Sequence, residues 1–400
     1  MSKPLDGVKV LDMSWVVAGP LVGRVLADAG ATVVRVESGT KVETARLMPP
    51  FEGGVAGHEN SALYGNVNAG KLGVSLDLRL PAARGVARSL ADWADVVLES
   101  YAPGRMKKWG LDYETLSATN PGLIMVSSSI NGQDGPYSGL AGYGNVGAAL
   151  SGFQSAVGWA DRLPLGPFGP YTDYVAPRFG LAALLAALLQ REQSGVGAYI
   201  DISQVECGAY LQSPYLAQYS AEGTVVERRG NSDAAFAPNG VYPCVDGRFV
   251  AITVGDDDQW RMLATVMNLP DAAAGFRTLD VRLRRTDELD DLVAGWTVRH
   301  RSQDLEDLLQ RVGIAAHVSA DSQAFCEDPQ LRHRGHLVEL DHPLHDRVTV
   351  EGPRYQLSDT ALSVERAAPV CGQDNSYVLS DILGLTAEQI ETLESEGALA

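Results

Sequence analysis

The chain reads as an α/β protein, a large domain on a parallel sheet with helices on both faces, followed by a smaller α+β domain. Three observations predict this. Short β-branched runs alternate with helical stretches over the first 130 residues, which is the grammar of βαβ units. A long apolar helical stretch follows near residue 180. Near residue 225 the character changes to turn-rich strands and charged amphipathic helices.

GVKVLDMS (7–14) predicts the first strand, VVAGPLVGRVLADAG a helix ending at Gly30, and ATVVRVES the second strand. ADVVLESY (94–101) and LIMVSSSI (123–130) are two further strands, each preceded by a helical segment. Ligands of such sheets bind at the carboxyl ends of the strands. Residues 175–192 are apolar nearly all round, which predicts a buried helix, and QSGVGAYIDIS returns to a strand. Beyond it, GVYPCV and RFVAITV read as strands, and 257–267, 287–300 and 304–312 as amphipathic helices. HLVELD, VTVEG and a last helix at 386–395 form a strand-rich return that completes the first domain. The expected boundaries are 1–224, 225–330 and 331–400.

Four hundred residues, 45% apolar and 20% charged, suffice for two cores. The net charge of −18 argues against a nucleic-acid partner. A phosphorylated ligand would need positive charge gathered locally against that global sign. The chain carries no long uninterrupted apolar run and its N-terminus no secretion pattern, so a cytoplasmic protein with no membrane span is expected. Cys207, Cys244, Cys326 and Cys371 lie far apart with no C-x-x-C, which predicts reduced, structural thiols.

AGYGNVGAALSG (141–152) contains G-x-G-x-x-G at Gly142, Gly144 and Gly147. A dinucleotide fingerprint follows a strand directly and precedes an acidic residue by about 20 positions. Here NGQDGPYSGLA separates strand from motif, and Asp161 and Asp173 lie in Gly/Pro-rich loops, so the fingerprint fails its context. Four histidines crowd HRGHLVELDHPLHD (333–346). With no Cys or paired carboxylate at ligand spacing, they read as a solvated loop-to-strand segment and not as a metal site. Asp173 stands at the start of the apolar helix. Position alone favours a helix cap there, and a carboxylate nucleophile is the alternative.

Several segments together resemble family III CoA-transferases, the CaiB/BaiF family that includes formyl-CoA transferase and the carnitine and bile-acid enzymes. They are PLDGVKVLDMSWVVAGPLVGRVLADAGATVVRVE, NAGKLGVSLDL, ADVVLESYAPGRMKKWGL, NPGLIMVSSSINGQDGPYSGLAGYGNVGAALSG and YTDYVAPRFGLAALLAALLQREQSGVGAYIDIS, then GVYPCVDGRFVAITVGDDDQW and GQDNSYVLSDILGLTAEQI. The resemblance covers nearly the whole chain in order. It implies a Rossmann-like large domain, an inserted small domain and two subunits threaded through each other as an interlocked dimer. It implies a homodimer, with pairing to a related subunit as the alternative.

The resemblance puts the nucleophile on Asp173 and an active-site tyrosine on Tyr143. It implies transfer of CoA from an acyl-CoA to a carboxylic acid through aspartyl anhydride and aspartyl-CoA thioester intermediates. CoA enters as substrate, and no tightly bound cofactor or metal is implied. Lys71, Ser100, Tyr101 and Lys108 match positions beside the CoA. Arg105 and Lys107 add cations in the same loop, and Val17 and Ala18 lie in the loop expected at the pantetheine end. Val17 replaces a glutamine of the oxalate enzyme and Ser38 an arginine. Val254-Gly255-Asp256-Asp257-Asp258-Gln259 stands in place of its glycine-rich flap, so formyl or oxalyl substrates are not expected. Two alternatives remain open. A racemase of the same family carries G-H-D where this chain has Gly142-Tyr143-Gly144, and a tyrosine of pKa about 10 is a poor base at neutral pH. A non-catalytic subunit of a hetero-oligomer is the other.

Overall fold

Six parallel strands organise the first unit of the chain: β1 (Lys9–Asp12), β2 (Thr32–Glu37), β3 (Leu72–Ser75), β4 (Val96–Glu99), β5 (Ile124–Ser129) and β6 (Ala198–Ser203). The computed structural model describes residues 2–400. The strand order is β3-β2-β1-β4-β5-β6, every pairing parallel. The connections reverse direction between β1 and β4, so the loops after those two strands part and leave a crevice.

The inner strands are short apolar runs because both of their faces are covered, whereas the edge strand β6 leaves Tyr199 and Asp201 exposed. On one face Val10, Val33, Val96 and Ile124 pack with Val22 and Leu26 of the helix Ala18–Asp28 and with Ala176 and Leu184 of the helix Tyr171–Ser194. On the other, Leu11, Val34, Val97 and Met125 pack with Ala83, Val86 and Leu90 of the helix Pro81–Trp93. One-residue alternation along each strand assigns the two faces.

Two expectations change here. The helix Tyr171–Ser194 is not buried all round: Ala182, Ala183, Leu185, Ala186 and Leu189 are exposed. It is long and apolar enough to cross a membrane by length and composition, yet half of that stretch is buried inside the protein. Its inner face meets the sheet and its outer face has no layer over it. The tail strands also do not join the sheet. β10 (Leu337–His342) and β11 (Asp346–Glu351) pair only with each other. The edge strand β3, which sequence reading did not resolve, is covered by the tail in another way. Gly73 N–H donates to Asp374 Oδ2 (2.7 Å), Asp374 N–H to Gly73 O (2.9 Å), and Ser75 N–H to Asn375 Oδ1 (2.9 Å). Irregular backbone thus blunts an edge that would otherwise stay unpaired.

The first unit runs from the N-terminus through Phe153, with Gly166–Thr224 and Pro329–Ala400. The second holds Val225–Asp328 together with Gln154–Leu165. That short stretch is tied to it by hydrogen bonds from Gly230 N–H to Gly158 O (2.8 Å) and from Arg228 Nε to Trp159 O (3.2 Å). In the second unit β7 (Asn239–Pro243), β8 (Phe249–Thr253) and β9 (Ala315–Val318) form an antiparallel sheet. It packs with Trp260, Leu263, Val293, Leu305 and Leu309 from three amphipathic helices. Asp256 caps the first of these by accepting from Gln259 N–H (2.8 Å), so the acidic run here opens a helix.

Candidate active site

A cleft of about 220 Å³ lies at the carboxyl ends of β1, β4 and β5, at the point where the strand order reverses. Trp15, Val16 and Ala18 line it after β1, Ser100, Tyr101 and Pro103 after β4, and Ser128 and Ser129 at the end of β5. Asp173, Gln204 and the loop through Tyr143 close it. Ser100 ties two of the walls together, since its hydroxyl oxygen accepts from Trp15 N–H at 2.8 Å.

A buried charged network holds the β1 loop. Asp12, Arg35, Glu43 and Lys71 are all withdrawn from solvent. Asp12 accepts from Lys71 Nζ (2.7 Å) and Ser14 N–H (3.0 Å), and Arg35 pairs with Glu43. Glu43 Oε1 in turn accepts from Val16 N–H at 2.5 Å. Val16 has φ +67°, which a β-branched residue adopts only under constraint. Burial pulls the Lys71 pKa down to about 8 against the pull of Asp12. Asp12 stays below its usual range because Lys71 and Arg35 overcome the cost of its burial.

This corrects two expected contacts. Lys71 gives its three protons to Asp12, to Pro20 O (2.8 Å) and to Asn68 Oδ1 (2.8 Å), and its side chain is fully buried. An ammonium has three donors, so none remains for a phosphate. Lys71 shapes the loop from beneath and does not face a ligand. Val17 likewise turns away from the cleft to pack with Leu21 and Val67, leaving Val16 and Ala18 on the wall.

Asp173 is buried, and it does not cap its helix. The helix begins two residues earlier, with Pro170 as its cap, and Asp173 N–H bonds Pro170 O. Its carboxylate accepts instead from Gln204 Nε2 at Oδ1 (2.9 Å) and from Gly144 N–H at Oδ2 (3.2 Å). Burial pushes its pKa up to about 6, while the two donors restrain the rise. No cation neutralises it among the described residues that shift it. The glycines of 142–147 explain how the loop comes so close. A Cβ on Gly144 would lie 2.5 Å from Pro170 O and 2.7 Å from Asp173 N, and one on Gly147 would overlap Thr172. Tyr143 lines the same cleft and is half-exposed at 53%. Gln204 was missed by sequence reading, and no motif marks it.

A second cleft of about 280 Å³ shares Trp15 and Tyr101 with the first. It is lined by the three cations Lys41, Arg79 and Arg105 and the two carboxylates Glu37 and Asp77, with Ser38, Leu76, Leu78 and Trp109. Lys41 Nζ stands 5.3 Å over the Trp15 ring, and the Arg105 guanidinium 5.7 Å over that of Trp109. Here the local positive charge gathers. Arg79 also pairs with Asp77 at 2.5 Å. Lys107 and Lys108 are exposed on the same short helix as Arg105. Lys107 lines a different hollow, beside Glu99. The four histidines form no metal cluster among the described residues.

A family model described as CoA-transferase family III matches residues 5–375. A succinyl-CoA–D-citramalate CoA-transferase of Chloroflexus aurantiacus is 33% identical over 98% of both chains. A succinate–glutarate CoA-transferase of Agrobacterium fabrum is 31% identical over 95% of this chain and 96% of its own. Among solved structures, a CAIB/BAIF family protein from Brucella suis has a TM-score of 0.88 at 28% identity, covering 96% of this chain and all of that one.

Proposed function

The chain belongs to CoA-transferase family III, and from that premise we propose that it transfers CoA between two carboxylic acids through covalent intermediates on Asp173. The observation that carries this reading is a buried carboxylate at the switch-point cleft with amide donors and no neutralising cation. Such a group is poorly solvated and therefore nucleophilic once ionised. It would attack the donor thioester, releasing CoA thiolate and leaving a mixed anhydride. The thiolate's return would give an aspartyl-CoA thioester, and the acceptor carboxylate would then take the CoA by the same two steps reversed.

The cation-lined cleft of Lys41, Arg79 and Arg105 suits the nucleotide end of CoA. Trp15 and Tyr101, common to both clefts, mark the path of the pantetheine arm, with Ser100 and Ala18 beside it. The names of the relatives support short dicarboxylic acids as the acid pair, with a succinyl-type donor. The hydroxyls of Ser128, Ser129, Ser138 and Tyr143 offer hydrogen bonds to a second carboxylate.

Incubation with acyl-CoA and hydroxylamine, followed by mass spectrometry, tests the reading. A hydroxamate should form at Asp173, and its rate of formation should rise with pH through about 6 as the carboxylate ionises. An intact protein that stays unmodified there would exclude the covalent route. Arg105→Glu should need about tenfold more acyl-CoA for half-maximal labelling, the scale of one charge-assisted contact.

We further propose that two copies assemble as an interlocked pair. The helix Ser213–Glu222 has no buried residue and presents Tyr215, Leu216 and Tyr219 to solvent. Leu185 and Leu189 add a second bare apolar strip. Patches of this kind mark protein interfaces. A single-chain mass by sedimentation equilibrium at micromolar concentration would overturn this.

A further inference from the structure

The two oxygens of Asp173 are unequal. Gln204 opens the helix Gln204–Leu211 directly after β6, and its side chain is buried. Its Nε2 donates to Oδ1 at 2.9 Å, while its Oε1 lies 2.9 Å from the hydroxyl of the fully buried Thr172, which is equally close to Gly144 O and shares its one proton between the two. A flipped amide would set Oε1 against the carboxylate, acceptor facing acceptor, so the amide has one orientation. Oδ2 keeps only the longer contact, 3.2 Å from Gly144 N–H. Both Asp173 and Gln204 face the cleft.

We propose that Oδ2 is the attacking oxygen and that Gln204 Nε2 is an oxyanion donor to Oδ1, the oxygen that Asp173 retains throughout the cycle. This rests on the covalent reading above. Oδ2 adds to the acyl carbon, the C–S bond breaks, and CoA leaves as thiolate. The thiolate then adds to Asp173 Cγ and pushes an electron pair onto Oδ1. Collapse breaks the Cγ–Oδ2 bond, so the donor acid departs as a carboxylate carrying Oδ2. The acceptor carboxylate adds to the same carbon, again charging Oδ1, and expels the thiolate. Attack of that thiolate on the acceptor's carbonyl carbon releases the new acyl-CoA. Asp173 is left ionised, with an acceptor oxygen in the place of Oδ2.

Oδ1 holds about half a charge in the resting carboxylate, little in the anhydride or thioester, and most at the two tetrahedral points centred on Cγ. A fixed donor there favours the steps that begin from covalent intermediates. It holds back the first attack slightly, because it also stabilises the resting carboxylate. Loss of the donor therefore has a signature that loss of packing lacks: turnover falls while acylated enzyme accumulates.

Gln204→Met keeps the length of the side chain and removes the donor. Its kcat should fall about 100-fold, KM for acyl-CoA should stay within about threefold, and the steady-state fraction of enzyme carrying a covalent acyl or CoA adduct, read by intact mass after an acid quench, should exceed that of wild type. A kcat within about threefold of wild type, or an adduct fraction that falls in step with turnover, would overturn the proposal. If Gln204→Met does not fold, Gln204→Leu removes the same donor with a shorter apolar side chain. It should lower kcat about 100-fold with a raised adduct fraction, and a lowered or unchanged adduct fraction would count against the donor role. No hydroxamate at Asp173 in the wild-type protein would instead overturn the covalent reading itself.

Discussion

Asp173→Ala should lower transfer to about one ten-thousandth of wild type or less, the scale seen when a nucleophile is removed. The fold should survive, because the carboxylate bonds one side-chain amide and one loop N–H and caps no helix. Asp173→Asn makes the pH argument sharper. Burial raises the folded pKa of Asp173 from 3.8 to about 6. Its contribution to stability is therefore fully present below the unfolded value and is lost as pH rises through about 6. The asparagine variant has no such loss. Its stability relative to wild type should improve between pH 4 and pH 8, by about 2–3 kcal/mol at the upper limit. Thermal melts of both proteins across that range would measure the difference. A constant offset would mean that the carboxylate is not desolvated as the structure has it.

Gly144→Ala is expected to damage both stability and transfer. The added methyl would meet Pro170 O at 2.5 Å, Asp173 N at 2.7 Å and Asp173 Cγ at 2.8 Å, and two of these atoms are backbone. Overpacking of this kind costs about 1–3 kcal/mol. The loop can relieve it only by withdrawing its N–H from Oδ2 or by moving the nucleophile, and a shift near 1 Å costs about 100-fold in rate. Gly85→Ala is the control. It sits in the helix Pro81–Trp93, nothing lies within 4 Å of its added Cβ, and it should gain about 0.5–1 kcal/mol. Equal behaviour of the two variants would remove close approach as the reason for a glycine at 144.

Much of this molecule was legible as sequence. The apolar runs of β1, β2, β4 and β5 stand out because strands covered on both faces are apolar over most of their length, and the edge strand β6 reads instead by alternation, with Tyr199 and Asp201 exposed. β3 escaped because LGVS is short and carries a glycine, and its edge is completed by Asp374 and Asn375 some 300 positions away. Apolar character misled at the helix Tyr171–Ser194, whose composition reports a wish to be covered and not what covers it. The glycines of the G-x-G-x-x-G stretch admit the close approach of Gly144 to Asp173 and of Gly147 to Thr172, and a linear motif does not carry that contact.

Sequence by itself determined the fold class, the family and the candidate nucleophile, because local periodicity and ordered motifs are written in neighbouring residues. Tertiary structure decided which groups are free to act. Lys71 matches a position beside CoA and is spent on Asp12, Pro20 and Asn68, while Lys41 and Arg79 from two loops and Arg105 from a short helix line the second cleft. It also made Asp173 a desolvated carboxylate, by bringing Gly144 from 29 residues before it and Gln204 from 31 after it. Hydrogen bonds and burial depend on distances in space, and a linear pattern carries no measure of those.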